Sequence, residues 1–426
     1  MDKFYHSVRL KEASCTGCTN CLKRCPTQAI RVRDGKAQIN AKFCVDCGEC
    51  IRLCPHHAKY AISDQLEVMK QYQYKIALPA PALYSQFNNL EDINIILHAL
   101  LEMGFDAVFE VSAAAELVSE ATRNYLEAHT DQYPLISTAC PSVVRLIRVK
   151  FPNLIPHLLP LNPPVEVAAE LALKKAMEET GLEREQIGIC FLSPCPSKVS
   201  YARTPLGIEK SEIDHVFAIK DIYSALLPHM KHVQDDPEEI SKSGKIGISW
   251  GCRGGESSGL FSENYLAADG IENVLRVLED LEDEKFPNLR FIELNACNGG
   301  CVGGVLTVEN PYLSEAKLQR LRKYLPVSRS RIDHDPKIEQ MINWKEEVTF
   351  EPVFNLGNTM RESFSMMQQI EQTLTRLPGL DCGSCGAPTC RAFAQDIIKG
   401  EATEMDCVHL LKEKLHNLLQ ERGDEV

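Results

Sequence analysis

Two kinds of hydrophobic pattern divide the chain. From Tyr74 onward, short apolar runs alternate with longer amphipathic segments. Short apolar runs bounded by turn residues favour buried strands, whereas apolar residues spaced three and four apart favour helices. The strand candidates are Lys75–Leu78, Ala107–Val111, Ile187–Leu192, Lys245–Trp250 and Arg290–Leu294, and the helix candidates are Leu90–Leu101, Ala113–Ala128, Val165–Thr180 and Asn273–Glu284. This alternation predicts an α/β body with a largely parallel sheet.

The two ends of the chain lack this alternation. Residues 1–60 contain two similar cysteine-rich runs, which form an internal repeat. Residues 328–358 carry scattered prolines and charges, and they predict a linker or wrapping arm. Helices are expected near Glu362–Leu377 and Cys407–Arg422. We therefore expect an N-terminal domain over residues 1–62, an α/β domain over 70–327, a linker over 328–376 and a C-terminal module over 377–426.

Composition narrows the functional classes. Of the 426 residues, 44% are apolar and 25% are charged, which is typical of a folded globular protein. A net charge of −13 disfavours nucleic acid as a partner, because phosphates need lysine and arginine for neutralisation. The first residues contain no apolar signal segment, and no apolar run is long enough for a membrane span. We therefore expect a cytoplasmic protein, in which clustered cysteines bind metal rather than form disulfides.

Eight of the eighteen cysteines lie in the N-terminal repeat. Each run has the spacing Cys-x2-Cys-x2-Cys-x3-Cys-Pro, which is typical of bacterial ferredoxins with two [4Fe–4S] clusters. The fourth cysteine of each run binds the cluster of the other run. Two zinc sites are the alternative, which the duplicated pattern with both prolines disfavours. The expected ligands are Cys15, Cys18, Cys21 and Cys54 for the first cluster, and Cys44, Cys47, Cys50 and Cys25 for the second.

A second cysteine group lies near the C-terminus. Cys382, Cys385, Cys390 and Cys407 have the spacing Cys-x2-Cys-x4-Cys-x16-Cys, with glycines beside the first two. Such glycines permit the tight turns that fold a chain around a cubane. The stretch resembles the four-cysteine [4Fe–4S] module of several anaerobic electron-transfer proteins, and a zinc site is the alternative.

Four further cysteines are distributed through the α/β body. Cys140, Cys195 and the pair Cys297 and Cys301 each lie just after an expected strand. Open α/β sheets bind their ligands at the carboxyl ends of the strands, so these thiols are expected to converge there. Four thiolates could hold another [4Fe–4S] cluster, and the glycines beside Cys301 leave space for a larger group. Buried, inert cysteines are the alternative.

At these cysteines the sequence resembles the [FeFe]-hydrogenase family, from about residue 74 to residue 305. The family has three active-site signatures: a Thr-Ser-Cys-Cys-Pro stretch, a Met-Pro-Cys-x-x-Lys stretch, and a Met-Ala-Cys-x-Gly-Gly-Cys stretch with further glycines. They correspond here to Ser137–Pro141, Ser193–Lys198 and Asn295–Gly304. Two further landmarks are matched by Ala80–Ala82 and by the helix around Glu120.

The resemblance implies a two-lobed α/β domain with a six-iron H-cluster, flanked by an α+β ferredoxin domain and the small C-terminal module. Cys140, Cys195, Cys297 and Cys301 would bind the cubane of the H-cluster. Cys301 would also bridge to a two-iron unit that carries CO, cyanide and a dithiolate. Lys198 would donate to a cyanide ligand, since an ammonium binds an anion strongly in a dry pocket. The other positions that the resemblance places in the site are Ala80, Pro81, Glu120, Ala139, Ser193 and Asn295.

The departures from the family concern proton delivery. Active members have a thiol directly before the first cluster cysteine, where this chain has Ala139, whose methyl group transfers no proton. Glu120 matches one relay carboxylate, but the next relay positions fall on Arg123 and Leu159. A guanidinium stays protonated at neutral pH and cannot act as a general base. The other substituted positions are Ser193 and Asn295, in place of two methionines, and Tyr201, in place of a glutamate.

Two cysteines remain outside these groups. Cys252 lies in the glycine loop Gly251–Glu256, where it is either a substitute proton donor or a packed loop thiol. Cys190 lies within an apolar strand and is expected in the core.

This chain keeps the cluster ligands but has an altered proton path. In this combination it resembles the sensory branch of the family, in which H2 reacts slowly. Loss of a relay group costs about 10²–10⁴ in rate where proton transfer is limiting. We therefore expect a low-turnover oxidoreductase that passes electrons from H2 through accessory clusters to a redox or signalling partner, with a homodimer left open. The alternatives are an ordinary catalytic hydrogenase with a modified proton path and a multi-cluster electron carrier without the two-iron unit. Drift in an inactive paralogue is disfavoured, because the cluster ligands are kept.

Overall fold

The computed structural model of the chain describes residues 4–235, 237–286, 288–332, 336–353, 356–357 and 359–421. The chain divides into two compact units. The larger unit comprises Met1–Val8, Val45–Gly48 and Ala61–Phe350, and the smaller unit comprises Arg9–Cys44, Glu49–Tyr60 and Glu351–Val426.

The strands are short and are numbered here in chain order. They are β1 (Val8–Leu10), β2 (Ile30–Arg33), β3 (Lys36–Ile39), β4 (Lys59–Ala61), β5 (Tyr74–Pro79), β6 (Ala107–Val108), β7 (Leu135–Ile136), β8 (Ile187–Ser193), β9 (His215–Ala218), β10 (Tyr265–Asp269) and β11 (Phe291–Asn295).

The helices lie mainly between the strands of the larger unit and at the end of the chain. They are α1 (Asn20–Lys23), α2 (Glu49–Arg52), α3 (Pro81–Tyr84), α4 (Asn94–Glu102), α5 (Val111–Ala128), α6 (Pro141–Lys150), α7 (Pro164–Thr180), α8 (Pro196–Arg203), α9 (Ile219–Val233), α10 (Lys245–Ser249), α11 (Gly255–Ser258), α12 (Ile271–Glu282), α13 (Pro311–Leu321), α14 (Pro336–Ile342), α15 (Met360–Leu374), α16 (Cys390–Ile398) and α17 (Val408–Glu421). Short 3-10 turns occur at Glu12–Ser14, Leu66–Gln71, Thr130–Gln132, Pro152–His157, Arg184–Gln186, Cys301–Gly303 and Glu404–Asp406.

The larger unit contains two parallel sheets. One has the strand order β6-β5-β8-β9, and the other has the order β10-β11-β7. Strand β8 is buried along its whole length, because it lies inside its sheet and helices cover it, which explains its continuous apolar sequence. The predicted α/β body with parallel strands is therefore confirmed.

One expected strand is a helix. The apolar run Lys245–Trp250 forms α10 over Lys245–Ser249. A short apolar run cannot distinguish a buried strand from a buried helix by its periodicity. Here α10 packs closely on α5, since a Cβ atom on Gly247 would lie 2.0 Å from the Ser112 carbonyl oxygen. The first N–H groups of α10 are satisfied by Pro326 and Val327 carbonyls rather than by a neighbouring strand.

The smaller unit is built around an antiparallel hairpin and a helical segment. Strands β2 and β3 pair in the register Ile30↔Ile39. Leu22, Ile30 and Ala37 form a small core with several cysteines. A second core, formed where α15 and α16 meet, contains Phe393 and Cys407 among its buried residues.

Candidate active site and metal centres

The central cysteines lie at the carboxyl ends of the parallel strands. Cys140 follows β7 and directly precedes α6, and Cys195 follows β8 and directly precedes α8. The first helical residue is proline in both cases, so the cysteine takes an extended backbone at the start of the helix. The N-terminus of a helix favours negative charge, which suits a thiolate cluster.

The loop after β11 is packed so tightly that it fixes the position of Cys301. A Cβ atom on Gly304 would lie 2.1 Å from the carbonyl oxygen of Pro194, which precedes Cys195. The same oxygen accepts a hydrogen bond from the Leu306 N–H at 2.9 Å. At the other end of the loop, Gly299 N–H donates to Asp269 at the end of β10. Cys301 is therefore held beside the Cys195 loop.

Lys198 lies next to Cys301 and within electrostatic reach of the other three central cysteines. Its Nζ lies 3.7 Å from Cys301 Sγ and 3.5 Å from the carbonyl oxygen of Ala139. Burial acts to lower the pKa of Lys198, but the negative charge of the cysteines outweighs it and raises the pKa overall, so the ammonium stays charged. The cysteines that act on it, in order of strength, are Cys301, Cys195, Cys140 and Cys297.

The Cys195 thiol is itself strongly perturbed. Its pKa is raised to about 11, chiefly by burial and also by the nearby Cys301 and Cys140, while Lys198 acts to lower it. A thiol must lose its proton to bind a metal, and a cationic cluster compensates the charge that burial disfavours.

A cavity of about 580 Å³ lies beside Cys301 and Lys198. Most of its other lining residues are apolar, for example Val111, Phe191 and Trp250. Of the positions that the sequence placed in the site, those lining this cavity are Ala80, Pro81, Ala139, Lys198, Asn295 and Cys301.

Other sequence-predicted positions lie outside the described lining of this cavity. Glu120, on α5, accepts a hydrogen bond from the Ile332 N–H at 3.0 Å. Arg123 donates to the Gly259 carbonyl at 2.6 Å and lies over the Phe261 ring. Leu159 and Tyr201 are buried, and Ser193 Oγ donates to the Cys195 carbonyl at 3.1 Å. The structure therefore does not bring Glu120 and Ala139 together around the cavity.

Two buried carboxylates also line the cavity, and the sequence analysis did not identify either of them as functional. Glu256 Oε2 accepts from Ser137 Oγ at 2.6 Å, and Ser137 Oγ accepts from the Ala139 N–H at 3.2 Å. Glu293 accepts from Gly254, Ser257 and Asn295. Glu293 could have been noticed from the sequence, because it is a charged residue within an apolar strand. Burial of a charged side chain is costly, so such a residue often has a specific role.

The two carboxylates titrate as a pair. Burial raises the pKa of Glu256, and the charge of Glu293 raises it further. Burial likewise raises the pKa of Glu293, against the hydrogen bonds that stabilise its ionised form. Two nearby buried carboxyl groups disfavour double ionisation, so the pair retains a proton beyond the usual carboxyl range.

The two remaining cysteines are packed against apolar neighbours. Cys190 is fully buried in β8, and burial raises the pKa of its thiol. Cys252 packs against a hydrophobic core of the larger unit that includes Leu83 and Ile248, and burial raises its pKa to about 12. Cys252 is not among the described residues that line the central cavity, which favours the packed-loop interpretation.

In the smaller unit, a cavity of about 330 Å³ is lined by Cys15, Cys18, Cys21 and Cys54. These are the four expected ligands of the first ferredoxin cluster, and Cys54 comes from the second run. Cys15 Sγ accepts from the Ala37 N–H at 3.4 Å, and Cys54 Sγ from the Ala58 N–H at 3.2 Å. Such N–H groups can also stabilise cluster sulfur atoms.

The expected ligands of the second cluster are divided between the units. Cys25, Cys44 and Cys50 belong to the smaller unit, whereas Cys47 lies in the Val45–Gly48 segment of the larger unit. Within the smaller unit, Cys25 and Cys50 pack on the same small core, and Cys25 Sγ accepts from the Ala29 N–H at 3.2 Å. The second cluster remains a prediction from spacing.

The four C-terminal cysteines also come together. Cys385, Cys390 and Cys407 belong to one hydrophobic cluster, and Cys385 lies close enough to Cys407 and Cys382 that their charges raise its pKa, after the larger effect of burial. Asp381 accepts from the Cys390 N–H at 2.6 Å and closes the loop. This arrangement can hold one metal cluster.

Three family models match the chain. The model of the iron-only hydrogenase large subunit, C-terminal domain, matches residues 73–264 and 251–305, which together exceed half of the chain. A 4Fe-4S dicluster domain matches residues 7–55, and an Fe-S cluster model matches residues 377–409. An N-terminal ferredoxin-like domain and a C-terminal iron–sulfur module therefore flank the hydrogenase-type region.

Curated relatives include two hydrogenases. Iron hydrogenase 1 of Clostridium pasteurianum is 25% identical over 256 residues, covering 49% of this chain and 44% of that protein. The periplasmic [Fe] hydrogenase large subunit of Nitratidesulfovibrio vulgaris is 28% identical over 212 residues, covering 45% of this chain and 50% of that protein. The chain thus matches half or less of the length of each.

A third curated relative has a different name. The cytosolic Fe-S cluster assembly factor NAR1 of Candida dubliniensis is 21% identical over 210 residues, covering 41% of this chain and 36% of that protein. Among solved structures, a variant of the [FeFe]-hydrogenase HydA1 from Chlamydomonas reinhardtii shares the fold with a TM-score of 0.50 and 15% identity, over 66% of this chain and 95% of that one. None of the helices in the described ranges combines the length and apolar composition that crossing a membrane requires.

Proposed function

Because this chain belongs to the iron-only hydrogenase family, whose domain model extends over residues 73–305, we propose that it is an H2-reacting oxidoreductase with an H-cluster and low turnover, which acts as a hydrogen or redox sensor. The observation that carries this proposal is the set of four cysteines that act electrostatically on Lys198, beside a cavity where Ala139 stands in place of a thiol. The ligands for the metal are kept, while a proton-transferring side chain is absent.

The residues present fit the H-cluster. Thiolates are the ligands that iron–sulfur clusters prefer, and the four central cysteines converge at the strand ends. Cys140, Cys195, Cys297 and Cys301 would hold the cubane, and Lys198 would donate to an anionic ligand in the apolar cavity. When bound, the H-cluster supplies the redox chemistry that interconverts H2 with protons and electrons.

Glu256 is the group that holds a proton at this cavity. Its carboxyl group accepts a hydrogen bond from the Ser137 hydroxyl, which in turn accepts one from the Ala139 N–H. Burial, together with Glu293, favours the protonated form. The methyl group of Ala139 cannot pass this proton onward, so the last step needs water, and turnover is slow. Lys198 remains charged and positions an anion rather than relaying protons.

Slow turnover suits a sensor better than an enzyme that must sustain flux. A sensor needs H2 to change the redox state of the protein, and the accessory clusters can store and pass on those electrons. Two ferredoxin clusters and one C-terminal cluster, on the cysteines described above, would connect the H-cluster to a redox or signalling protein. We place this process in the cytoplasm of an anaerobic cell.

Infrared spectroscopy tests the proposal. Metal-bound CO and cyanide give bands in a region free of protein absorption, so protein matured with the two-iron cofactor should show them. A viologen-coupled assay on the same sample should then show slow H2 oxidation. Correctly matured protein without such bands would exclude both the sensor and an ordinary hydrogenase, and turnover as fast as that of a catalytic hydrogenase such as the C. pasteurianum enzyme would exclude the sensor.

The second candidate is an iron–sulfur protein without the two-iron unit. The likeness to the relative named as a cluster assembly factor favours it. The apolar cavity beside Cys301 favours the hydrogenase, because it offers space next to the cluster ligands for a further group, which a carrier with a cubane alone does not need. The infrared spectrum separates the two, since the second candidate predicts intact iron–sulfur absorption with no CO or cyanide bands.

A further inference from the structure

A single strand separates two cysteine sites in the smaller unit. Val32, in β2, lines the cavity formed by the first ferredoxin ligand set. Its backbone N–H donates to the carbonyl oxygen of Gly386 at 2.8 Å. Gly386 directly follows Cys385, a ligand candidate of the C-terminal set. One residue therefore lies at both sites, because Val32 lines the first and its backbone N–H is bonded to the second.

A second contact joins the same two loops. Gly383 lies between Cys382 and Cys385, and a Cβ atom there would be 3.3 Å from Leu22 Cδ1 and 3.1 Å from Lys23 Cε. Leu22 directly follows Cys21 of the first ligand set. The C-terminal cysteine loop therefore approaches the first ligand set at two points, by a hydrogen bond to β2 and by the close packing of Gly383 on Leu22 and Lys23.

Two ion pairs to one buried carboxylate hold this arrangement. Asp396, in α16, accepts from Arg31 Nε and Arg33 Nη2, both at 2.6 Å. Arg33 Nη1 also donates to the Cys385 carbonyl at 2.9 Å. Charge-assisted hydrogen bonds to one buried carboxylate fix direction as well as distance. The helix that begins at Cys390 is therefore fastened to the strand that covers the first cluster.

We propose that the C-terminal cluster exchanges electrons directly with the first ferredoxin cluster across β2. This inference rests on the proposed function in one respect, that both sites hold [4Fe–4S] clusters. In the exchange, a reduced cluster loses one electron and its oxidised neighbour gains it, with no bond broken and no proton transferred. The C-terminal module thus attaches to the first ferredoxin cluster as a branch of the electron path.

The close approach at Gly386 supplies the test. A Cβ atom on Gly386 would lie 1.9 Å from the Val32 carbonyl oxygen, so Gly386→Ala must push the cysteine loop away from β2. Gly400→Ala is the matched control, because both glycines have a positive φ, +79° and +74°, but Gly400 has no atom within 4 Å of its Cβ position. Both substitutions place a side chain on a residue with a positive φ, so they cause similar backbone strain. Only Gly386→Ala also introduces a clash with β2.

The measurement is electron paramagnetic resonance of the fully reduced protein, prepared without the two-iron unit. Neighbouring reduced clusters broaden each other's signals, and Cys385→Ala, which removes the C-terminal cluster, defines how much broadening that cluster causes. We expect Gly386→Ala to lose most of this component at unchanged iron content and Gly400→Ala to retain it. Arg33→Gln, which removes the bond to the Cys385 carbonyl, replaces the Gly386 variant if that variant loses iron.

Two results would overturn the inference. One is a spectrum in which Cys385→Ala changes nothing except the loss of one signal, because the clusters would then not interact. The other is equal broadening in the Gly386, Arg33 and Gly400 variants, because the contact across β2 would then not matter. Neither result depends on the H-cluster, so failure here is distinct from an absence of CO and cyanide bands.

Discussion

Two regions at the central cavity differ in how closely their residues match the family's signatures. We call them the thiol side, formed by the cysteine ligands and Lys198, and the proton side, formed by the positions of the family's proton relay. On the thiol side, Cys195 and Cys301 are held together by a tightly packed loop, and Lys198 lies within electrostatic reach of the four central cysteines. On the proton side, Ala139 offers no exchangeable proton, and Glu120 accepts a bond from Ile332 away from the lining of the cavity. The difference supports the proposal that cofactor binding and electron transfer are retained while proton delivery is weakened.

The largest expected effect comes from breaking the thiol side. Cys301→Ser removes the thiolate that would join both parts of the H-cluster, so we expect loss of the CO and cyanide bands and of all H2 oxidation. Infrared spectra and iron analysis check this.

Cys252→Ser is the matched control for that variant. Cys252 is a packed thiol whose pKa burial raises to about 12, so its replacement should leave the bands in place. Equal loss of the bands in both variants would show general damage to the fold and not loss of a ligand.

The next effect concerns the carboxyl group at the cavity. Glu256→Gln keeps an acceptor for Ser137 but cannot transfer a proton, so turnover should fall by about 10²-fold, the lower range for loss of a general acid or base. Viologen-coupled rates on samples with matched infrared bands measure this. Glu120→Gln is the control and should change the rate little. If Glu120→Gln lowers turnover while Glu256→Gln does not, the family's own relay operates here.

A smaller change in the opposite direction is expected when the missing thiol is restored. Ala139→Cys places a proton donor beside the Ser137–Glu256 pair, and turnover should rise by about tenfold, less than the ~10²–10⁴ of a complete relay. Ala139→Ser controls for size and polarity, because a serine hydroxyl is far less acidic than a thiol. No increase in the cysteine variant would mean that the thiol position does not limit the rate.

The smallest effect is on the pH dependence of stability. The folded-state pKa values of Glu256 and Glu293 are raised, so their contribution to stability is fully present below the ordinary carboxyl range and is lost as pH rises through the raised values. Glu293→Gln should weaken this fall, because it removes one of the two buried carboxyl groups whose pKa values are raised. Thermal midpoints of the anaerobic protein between pH 5 and about 8 measure it.

A separate buried carboxyl group provides a reference for this pH dependence of stability. Glu166 lies outside the described cavity lining, and burial raises its pKa to about 7. Its contribution should persist in the Glu293 variant. Identical pH profiles for the wild type and the Glu293 variant would contradict the assignment of a shared proton to the cavity pair.

The sequence predicted features that depend on local patterns along the chain better than features that depend on tertiary contacts. The spacing of the first ferredoxin run, with Cys54 taken from the second run, anticipated residues that line one cavity, because local ligand spacing restricts geometry strongly. The parallel α/β body was predicted for the same reason, since strand and helix periodicities are local. Helix α10 was expected as a strand because its five residues are too few to show a period.

The carboxylate pair could not be found in this way. Glu256 lies in α11 and Glu293 in β11, and the packing of α11 on β11 brings their charges together. Likewise, the contact of Val32 with Gly386 joins positions from opposite ends of the chain. Sequence spacing predicts ligands that are close along the chain, whereas proton and electron routes depend on tertiary contacts.

The most direct test of weakened proton delivery is the solvent isotope effect on H2 oxidation. Turnover is measured in H2O and in D2O on protein whose infrared bands show a complete H-cluster, for the wild type and for Ala139→Cys. We predict that the wild type is clearly slower in D2O and that the effect shrinks in the cysteine variant, because proton transfer then limits the rate less. Equal rates in the two solvents for the wild type would contradict the account.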